Sequence, residues 1–324
     1  QNIGGNEMKK ILTLLLAGAM MLSMVACGSN EKKEEAPVET PAEETPAEGE
    51  APTAEAPVEE EKTSDAPAIN IAMVTDEGGV NDESFNQSGY EGLQAFGKAT
   101  GSQVKYLEST QEEDYVTNLG KFSDEEQDII WGVGFKMADA VASAAKMNPD
   151  KLYAIVDYSY GEETPANVIG VMFRAQESSF LCGYIAGHMT KTDKVGFVGG
   201  IRGAIIDQFE YGFRAGVDYA AKELGKNIEV LSQYAGNFSD AGLGKSIAQS
   251  QIKEGADIVH HAAGGVGIGV IEACKEASVF AIGVDMDQNS VAPETVITSA
   301  MKYVGNALFD ISDKVAKGEK LGGP

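Results

Sequence analysis

The sequence predicts an α/β protein with two Rossmann-like lobes, each built on a parallel sheet. About ten short runs rich in β-branched and aromatic residues alternate with longer segments whose apolar residues recur at helical spacing. The short runs are apolar throughout, which is typical of parallel strands covered by helices on both faces. The units form two successive series, and ten strands fit two open sheets better than an eight-stranded barrel, which is the structural alternative.

The first series begins at Ile69 with a predicted strand at 69–74 and a helix near 84–100. The remaining strands of this series are predicted at 104–107, 128–133, 151–156 and 167–173, with helices near 114–122 and 138–145 between them.

The second series opens with a predicted helix at 176–190. Its strands are predicted at 194–199, 228–234, 257–262, 279–284 and 295–299, with helical segments near 209–224, from about 240, and at 266–277. A last helix presents Val304, Leu308, Ile311 and Val315 on one face.

Residues 1–27 are predicted to comprise a signal peptide with a lipobox, of which 1–7 are an upstream extension. Two lysines precede an uncharged run at 11–26, whose 16 residues would reach about 24 Å as a helix, short of a hydrocarbon core of about 30 Å. Such a run is typical of a secretory leader. Small residues before Cys27 resemble a bacterial lipobox, so we expect Cys27 to be lipidated; an ordinary signal peptide with an incidental cysteine is the alternative.

Residues 28–68 are predicted to form a disordered acidic linker. They contain six of the ten prolines, no aromatic residue, and 13 acidic against 3 basic residues. This composition cannot bury enough apolar surface to offset the entropy of ordering, and proline and charge repulsion keep such a segment extended. We interpret it as a tether between a lipid and the folded body.

The composition excludes several classes of protein. The chain carries 25 basic and 50 acidic residues, a net charge of −25, so no nucleic acid is expected as a partner. Three cysteines and three histidines show no zinc-site spacing, and no nucleophile elbow, Walker A or HExxH motif is present. We therefore expect no metal, no cofactor and no enzymatic activity.

Three aspartates follow predicted strands. Asp76 comes after the strand at 69–74, and Asp157 and Asp285 come after two later strands. Ligands of open parallel sheets bind beyond the carboxyl ends of the strands. Each aspartate alone is more often a turn or cap residue, but three at equivalent edges favour a binding site. Carboxylates accept hydrogen bonds from the hydroxyls of a sugar and repel phosphate, which favours a nucleoside over a nucleotide.

Two loop phenylalanines can form the walls of a slot for a flat heterocycle. Phe85 lies in the first turn of a helix whose start, Ser84 with Gln87, matches a capping box, and Phe238 lies at the tip of a loop after another strand. The alternative is that Phe85 is a hydrophobic staple and Phe238 covers local core. Stacking of a base on an aromatic ring contributes about 1–3 kcal/mol.

A glycine-rich run and a lysine follow two further strands. Gly264 and Gly265 belong to a G-G-x-G-x-G run that differs from the dinucleotide fingerprint, so we expect close backbone approach to a ligand rather than dinucleotide binding. Lys302 either donates to the ligand or neutralises the aspartates. His260 and His261 are adjacent on a strand, so their side chains diverge and do not form a metal site.

Several motifs in order resemble the basic membrane protein family, and more narrowly its purine-nucleoside-binding lipoproteins, which are solute receptors of ABC importers. They include VTDEGGVNDESFNQ, KVGFVGG, AAGGVGIG and GVDMDQ, and the resemblance covers residues 69 to about 318. It implies a type I periplasmic-binding-protein fold with a crossing hinge, in which residues 69–172 and 300–324 form lobe 1 and residues 173–299 form lobe 2. Such relatives continue with a further strand, so a third hinge crossing is not expected within this sequence.

The resemblance also implies a role for each candidate residue. The base is held between Phe85 and Phe238, and the ribose is held by Asp76, Asp157 and Asp285. The remaining implied ligand contacts are Asn81, Asn86, Gly264, Gly265 and Lys302.

The resulting hypothesis is a lipid-anchored, monomeric receptor on the extracytoplasmic face of a bacterial membrane. It would capture inosine, guanosine or adenosine by hinge closure and present it to the permease and ATPase subunits of an ABC transporter. Two alternatives remain open: a monosaccharide receptor, which needs the carboxylates but not an aromatic slot, and a nucleoside hydrolase, whose aspartates would cluster around a metal.

Overall fold

The computed structural model describes residues 62–324. The predicted signal peptide, Cys27 and residues 28–61 of the predicted linker lie outside the described residues. Between residues 62 and 324, no helix combines the length and the apolar character needed to cross a membrane.

The first lobe is built on a sheet of five parallel strands. In chain order they are β1 (Asn70–Thr75), β2 (Gln103–Leu107), β3 (Ile129–Val133), β4 (Tyr153–Val156) and β5 (Val168–Val171). They lie side by side in the order β2-β1-β3-β4-β5. The helices α1 (Phe85–Thr100), α2 (Glu113–Ser123) and α3 (Ala138–Met147) follow β1, β2 and β3 in turn. Because these helices cover both faces of the sheet, β3 and β4 are buried along their whole length.

The second lobe repeats this plan. Its strands are β6 (Lys194–Gly199), β7 (Glu229–Tyr234), β8 (Ile258–Ala262), β9 (Phe280–Asp285) and β10 (Val296–Met301), in the order β10-β9-β8-β6-β7. The helices of this lobe are α4 (Ala175–Met189), α5 (Ala204–Leu224), α6 (Ala241–Lys253) and α7 (Val266–Ala277). All pairings in both sheets are parallel, so each sheet has all its carboxyl ends at one edge.

The described chain crosses between the lobes twice. The first crossing joins β5 to α4, and the second joins β10 to α8 (Val304–Ala316), whose buried residues belong to the core of the first lobe. Helices α8 and α1 pack closely because a glycine lies on each side of the contact: a Cβ added to Gly92 would lie 2.1 Å from the carbonyl oxygen of Gly305. The second crossing brings Lys302 to the boundary between the lobes.

The segment that leads into β1 lies against α8. Lys62 Nζ donates to Asp310 Oδ1 at 2.5 Å, Ser64 Oγ donates to Asp313, and Ala66 is buried in the core of the first lobe. The sequence places residues 62–68 in the linker, whereas in the structure Lys62, Ser64 and Ala66 of this segment contact the first lobe.

The predicted α/β fold class is confirmed, and all ten predicted strands are present with ends that shift by at most two residues. The boundary of lobe 2 was placed at residue 299, whereas β10 continues to Met301. The reason is local: β10 stays paired with β9 as far as Asp285, so the strand persists to the point where the chain leaves the sheet.

Candidate functional site

The carboxyl ends of the two sheets face one cleft with an empty volume of about 520 Å³. This volume includes space that is open to solvent. The cleft is lined by eight of the predicted site residues: Asp76, Phe85, Asn86, Asp157, Phe238, Gly264, Asp285 and Lys302. The structure therefore brings together side chains from both lobes that are up to 226 positions apart in the sequence.

The first polar group in the cleft is formed by Asp76, Asn86 and Asp82. Asp76 Oδ1 accepts hydrogen bonds from Gly78 N at 2.9 Å and from Asn86 Nδ2 at 2.7 Å. Asn86 Nδ2 also donates to Asp82 Oδ2 at 3.0 Å. Burial raises the pKa of Asp76 to about 7, against the opposing effect of these two donors. The Asp76 carboxyl therefore changes its charge near neutral pH.

The start of α1 differs from the prediction. The capping box expected from Ser84 and Gln87 is wrong, because Ser84 makes no side-chain bond to the helix. Asp82 takes this part: its carboxylate oxygens accept from the backbone N–H groups of Ser84, Asn86 and Gln87 at 2.9–3.0 Å. Ser84 Oγ donates instead to Asp285 Oδ2 across the cleft at 2.7 Å, which no local pattern could show.

The second polar group is a buried cluster of Asp157, Lys302 and Asp285. Lys302 Nζ lies 2.6 Å from Asp157 Oδ2 and 3.5 Å from Asp285 Oδ1. All three side chains are at most 7% exposed. Burial alone would lower the pKa of Lys302, but the two carboxylates raise it above the usual value for lysine, so the ammonium group stays charged.

Asp157 and Asp285 occupy matching positions in the two lobes. Asp157 follows β4 directly and Asp285 ends β9, and both have φ of 65°, in the left-handed region that aspartate tolerates better than most residues. This turn at the strand end aims each carboxylate toward Lys302 and the cleft. Both residues were predicted from their positions at strand ends, whereas their shared backbone conformation is visible only in the structure.

Three buried oxygen atoms around the cleft have no hydrogen-bond partner in the protein. They are Asn86 Oδ1, Asp157 Oδ1 and Asp285 Oδ1, the last of which has only its ion pair with Lys302 Nζ at 3.5 Å. Buried acceptors are normally satisfied, and leaving one without a donor costs about 1–3 kcal/mol. Three such acceptors around one cleft are suited to a ligand that carries several hydrogen-bond donors.

The apolar part of the cleft is aromatic. Phe85 and Phe238 both line it, from the first and the second lobe respectively. The Phe238 ring lies over Gly200, where an added Cβ would come within 2.1 Å of Phe238 Cε1, so only glycine fits there. Lys302 Nζ lies 4.3 Å from the centroid of the Phe85 ring, which places the aromatic wall beside the charged cluster.

Phe135 is a cleft residue that the sequence argument missed. It lies two residues after the end of β3, and its ring lies 6.2 Å from the Phe238 ring at an angle of 78°, which is an edge-to-face contact between the two lobes. The rule used for the aspartates, position after a strand, would have found Phe135 if it had been applied to aromatic residues. Lys136, the next residue, also lines the cleft and pairs with Glu77 at 2.6 Å.

Two predicted site residues do not line the cleft. Asn81 is exposed on the loop before α1. Gly265 lies at the start of α7 against the Phe238 loop, where an added Cβ would come within 3.2 Å of the Phe238 carbonyl oxygen. Gly264 does line the cleft and has φ of 55°. The glycine pair therefore supports the loop that carries Phe238.

The adjacent histidines point in different directions, as expected on a strand. His260 Nδ1 contacts the Ile282 carbonyl oxygen at 3.1 Å, and His261 Nε2 contacts Gln288 Oε1 at 2.9 Å. Burial lowers the pKa of His260 to about 3 and that of His261 to about 4, so both rings are neutral near pH 7. Between residues 62 and 324, no group of three or more His, Cys, Asp or Glu side chains is arranged to hold a metal ion.

Two parallel α/β lobes with a cleft between the ends of their strands have the architecture of the type I periplasmic-binding-protein class. Residues 69–323 match the family Bmp, described as ABC transporter substrate-binding protein PnrA-like. The chain belongs to this family and is thus an ABC transporter substrate-binding protein.

Relatives and solved structures agree with this assignment. The chain is 41% identical over 276 residues to the CD4+ T-cell-stimulating antigen of Listeria innocua, covering 79% of this chain and 76% of that protein. It is 42% identical over 248 residues to basic membrane protein A of Borreliella burgdorferi, covering 76% of this chain and 71% of that protein. An ABC transporter solute-binding protein from Aeropyrum pernix K1 has a similar fold, with a TM-score of 0.75 at 29% identity over 79% of this chain and 72% of that one.

Proposed function

We propose that this protein binds purine nucleosides and delivers them to the permease of an ABC importer. The observation that supports this most is the composition of one cleft: aromatic side chains from both lobes stand beside buried carboxylates that have unpartnered oxygens. A flat base suits the aromatic part, and the hydroxyl groups of a ribose are donors for the carboxylates. We assign the base to Phe85 and Phe238.

The polar residues divide between two parts of the proposed ligand. Asp157, Lys302 and Asp285 form one group, in which each carboxylate keeps one oxygen free of hydrogen bonds. We assign the ribose hydroxyls to this group. Asp76 and Asn86 form a separate group, and we assign it to a donor on the polar edge of the base.

The charge of the cleft favours a nucleoside over a nucleotide. Four aspartates line it, namely Asp76, Asp82, Asp157 and Asp285, against two lysines. Lys136 and Lys302 are both already engaged with carboxylates, at 2.6 Å in each case. A phosphate group would meet mainly negative charge, and its desolvation would go uncompensated.

We also propose that the protein is a monomer held by a lipid at Cys27 on the extracytoplasmic face of a bacterial membrane. The support comes from sequence: a short apolar leader precedes Cys27, and an acidic, proline-rich segment separates it from the described residues. This assignment is tested by growing cells with a detectable fatty acid and comparing its incorporation into the native protein with that into Cys27→Ser.

Calorimetry with three ligands tests the nucleoside assignment. Inosine is expected to bind, whereas ribose and inosine monophosphate are expected to bind at least tenfold more weakly, because ribose lacks the base and the monophosphate adds negative charge. Equal binding of ribose would favour a monosaccharide receptor. Appearance of free hypoxanthine on incubation with inosine would favour a nucleoside hydrolase.

Replacing Phe238 with alanine is expected to weaken inosine binding about tenfold or more, because stacking of one base contributes about 1–3 kcal/mol. Phe238→Tyr keeps the ring and is expected to bind within about threefold of the native protein. The two affinities are compared by calorimetry, with Tyr219→Ala on the exposed face of α5 as the control. Equal losses in Phe238→Ala and Phe238→Tyr would contradict stacking.

Inosine binding is expected to strengthen as the pH rises from 6 to 8. The pKa of Asp76 is about 7 in the protein, and a ligand that donates to Asp76 favours the ionised carboxylate, so below pH 7 a proton must leave before binding. The limit of this effect is about tenfold in the dissociation constant per pH unit below the pKa. Asp76→Asn is expected to abolish the pH dependence, and a native protein with the same affinity at pH 6 and pH 8 would contradict the role of Asp76.

A further inference from the structure

The buried side chain of Gln288 joins the two lobes directly. It lies just after β9, in the second lobe, and is 1% exposed. Its Nε2 donates to the backbone carbonyl oxygen of Glu83, in the first lobe, at 2.8 Å. Gln288 does not line the cleft. This contact therefore links the lobes without passing through a ligand.

The orientation of the Gln288 amide is determined by its surroundings. Gln288 Oε1 accepts from the Val284 backbone N–H at 2.9 Å and faces His261 Nε2 at 2.9 Å. Val284 N–H can only donate, so the oxygen of the amide must be on this side and the NH₂ group must face Glu83. With the oxygen there, His261 Nε2 carries the hydrogen and donates, which supports the same orientation.

The neighbouring backbone leaves room for this arrangement. A Cβ added to Gly283 would lie 2.7 Å from Gln288 Oε1, and a Cβ added to Gly267 would lie 2.0 Å from the His261 ring. Both glycines are thus required for the positions that the ring and the amide adopt. The contact with His261 explains why Gly267, a member of the G-G-x-G-x-G run that does not line the cleft, is a glycine.

The acceptor on the first lobe is held in an uncommon conformation. Glu83 has φ of 53°, in the left-handed region that a residue with a Cβ seldom adopts. The next residue, Ser84, donates to Asp285 across the cleft at 2.7 Å. The loop before α1 is therefore bonded to the second lobe at two successive residues.

We propose that the arrangement seen here, in which the lobes contact each other through Gln288, Ser84 and Phe135, is the closed one, that Gln288 is a latch that stabilises it, and that His261 positions the Gln288 amide for this contact. The latch acts on the equilibrium between open and closed forms, and it raises the apparent affinity by raising the closed fraction. The inference rests on the proposed function only in that closure of the lobes accompanies binding; it does not depend on which ligand is bound.

Gln288→Glu isolates the latch from the local structure. At pH 8 the ionised side chain has the same shape and still accepts from Val284 and His261, but neither of its oxygens can donate to the Glu83 carbonyl, and the second oxygen repels it. Because a buried carboxyl that is protonated could still donate, Gln288→Met, which has no donor in any protonation state, is measured beside it. Gln249→Glu, on the exposed side of α6 in the same lobe, is the matched control for added charge. His261→Phe keeps a ring but removes the donor, so a smaller effect in the same direction is expected.

The distance between the lobes is measured in the full chain by double electron–electron resonance spectroscopy. Spin labels are placed at cysteines that replace Met147 and Leu181, which are 65% and 62% exposed and lie one in each lobe. All proteins carry Cys27→Ser so that Cys27 is not labelled, and the other native cysteines, Cys182 and Cys274, are buried. Without ligand, Gln288→Glu is expected to shift the distances toward the open form, and inosine is expected to dissociate about tenfold faster, since one donor is lost and a repulsion is added. Gln249→Glu is expected to match the native protein.

Unchanged ligand-free distances and an unchanged dissociation rate in Gln288→Glu would overturn the proposal. If Gln288→Glu does not fold, Gln288→Met replaces it, since methionine has the same length and no donor, and the same two outcomes apply. The ligand-free distances decide about the latch even if inosine fails to bind the native protein. That failure would contradict the proposed nucleoside specificity alone.

Discussion

Lys302→Met is expected to lower the free energy of unfolding by about 3–5 kcal/mol at pH 7.5. Removing one partner of a buried ion pair leaves the remaining charge uncompensated, and here two carboxylates depend on one ammonium group. Methionine fills a similar volume, so the loss would report the charge rather than a cavity. Urea denaturation of both proteins, with mid-points and slopes compared, measures the difference.

The pH dependence of this loss has a definite sign. Burial already raises the pKa of Asp157 against the opposing charge of Lys302, so removing Lys302 raises the pKa of Asp157 in the folded state further above its value in the unfolded state. The folded protein then binds more protons than the unfolded chain, so the destabilisation is expected to shrink as the pH falls from 7.5 to 5.

Asp157→Asn combined with Lys302→Met is the control that separates charge from shape. The double variant removes one carboxylate together with its partner, and it is expected to recover at least half of the lost stability. If Lys302→Met lowers the free energy of unfolding by less than about 1 kcal/mol, the two buried carboxylates do not depend on the charge of Lys302. The equivalent substitution at an exposed lysine, Lys222→Met on α5, is expected to change the free energy of unfolding by no more than about 0.5 kcal/mol.

Asp285→Ala is expected to weaken inosine binding by more than tenfold through loss of the ribose contact. The loss reaches about a hundredfold when loss of the contact between Ser84 and Asp285 is added. A hydrogen bond to a charged group contributes about 1.5–3 kcal/mol, and Asp285 Oδ1, which accepts no hydrogen bond in the protein, is the acceptor assigned to the ribose. Asp285 Oδ2 also accepts from Ser84 across the cleft, so the substitution removes a contact between the lobes as well. Calorimetry at pH 7.5 measures the change in affinity.

Backbone strain needs its own control at this position. Asp285 has φ of 65°, which alanine tolerates less well than asparagine. Asp285→Asn keeps the shape and the conformational preference but removes the charge, so an affinity between those of the native protein and Asp285→Ala is expected. Asp218→Ala, at an exposed position in α5, should bind as the native protein does. Native-like inosine affinity in Asp285→Ala would remove Asp285 from the binding site.

Most of the fold could be predicted from the sequence because its signals are local. Each strand and helix is encoded by the period of its own apolar residues, and parallel pairing follows from the alternation of the two. Errors occurred where the local signal was ambiguous. Ser84 and Asp82 are both good capping residues two positions apart, and the choice between them depends on Asp285, a residue of the other lobe.

The candidate site was predictable to the extent that one rule applies to every strand. Residues after parallel strands share an edge, which is why Asp76, Asp157 and Asp285 could be grouped without a structure. Phe135 obeys the same rule and was overlooked, whereas Asn81 was included from a motif and lies outside the cleft. The separation of Asp76 from the Lys302 cluster could not be predicted, since position after a strand does not specify hydrogen-bond partners.

The sequence by itself determined the order of the elements, the two-lobed class and the set of side chains available at the strand ends. Only the tertiary structure decided which of these side chains meet. Lys302 and Asp157 are 145 positions apart, and Ser84 and Asp285 are 201 apart. Periodicity reports the environment of a residue within its own element, but a contact over such separations depends on how two whole lobes pack, and no local pattern carries that information.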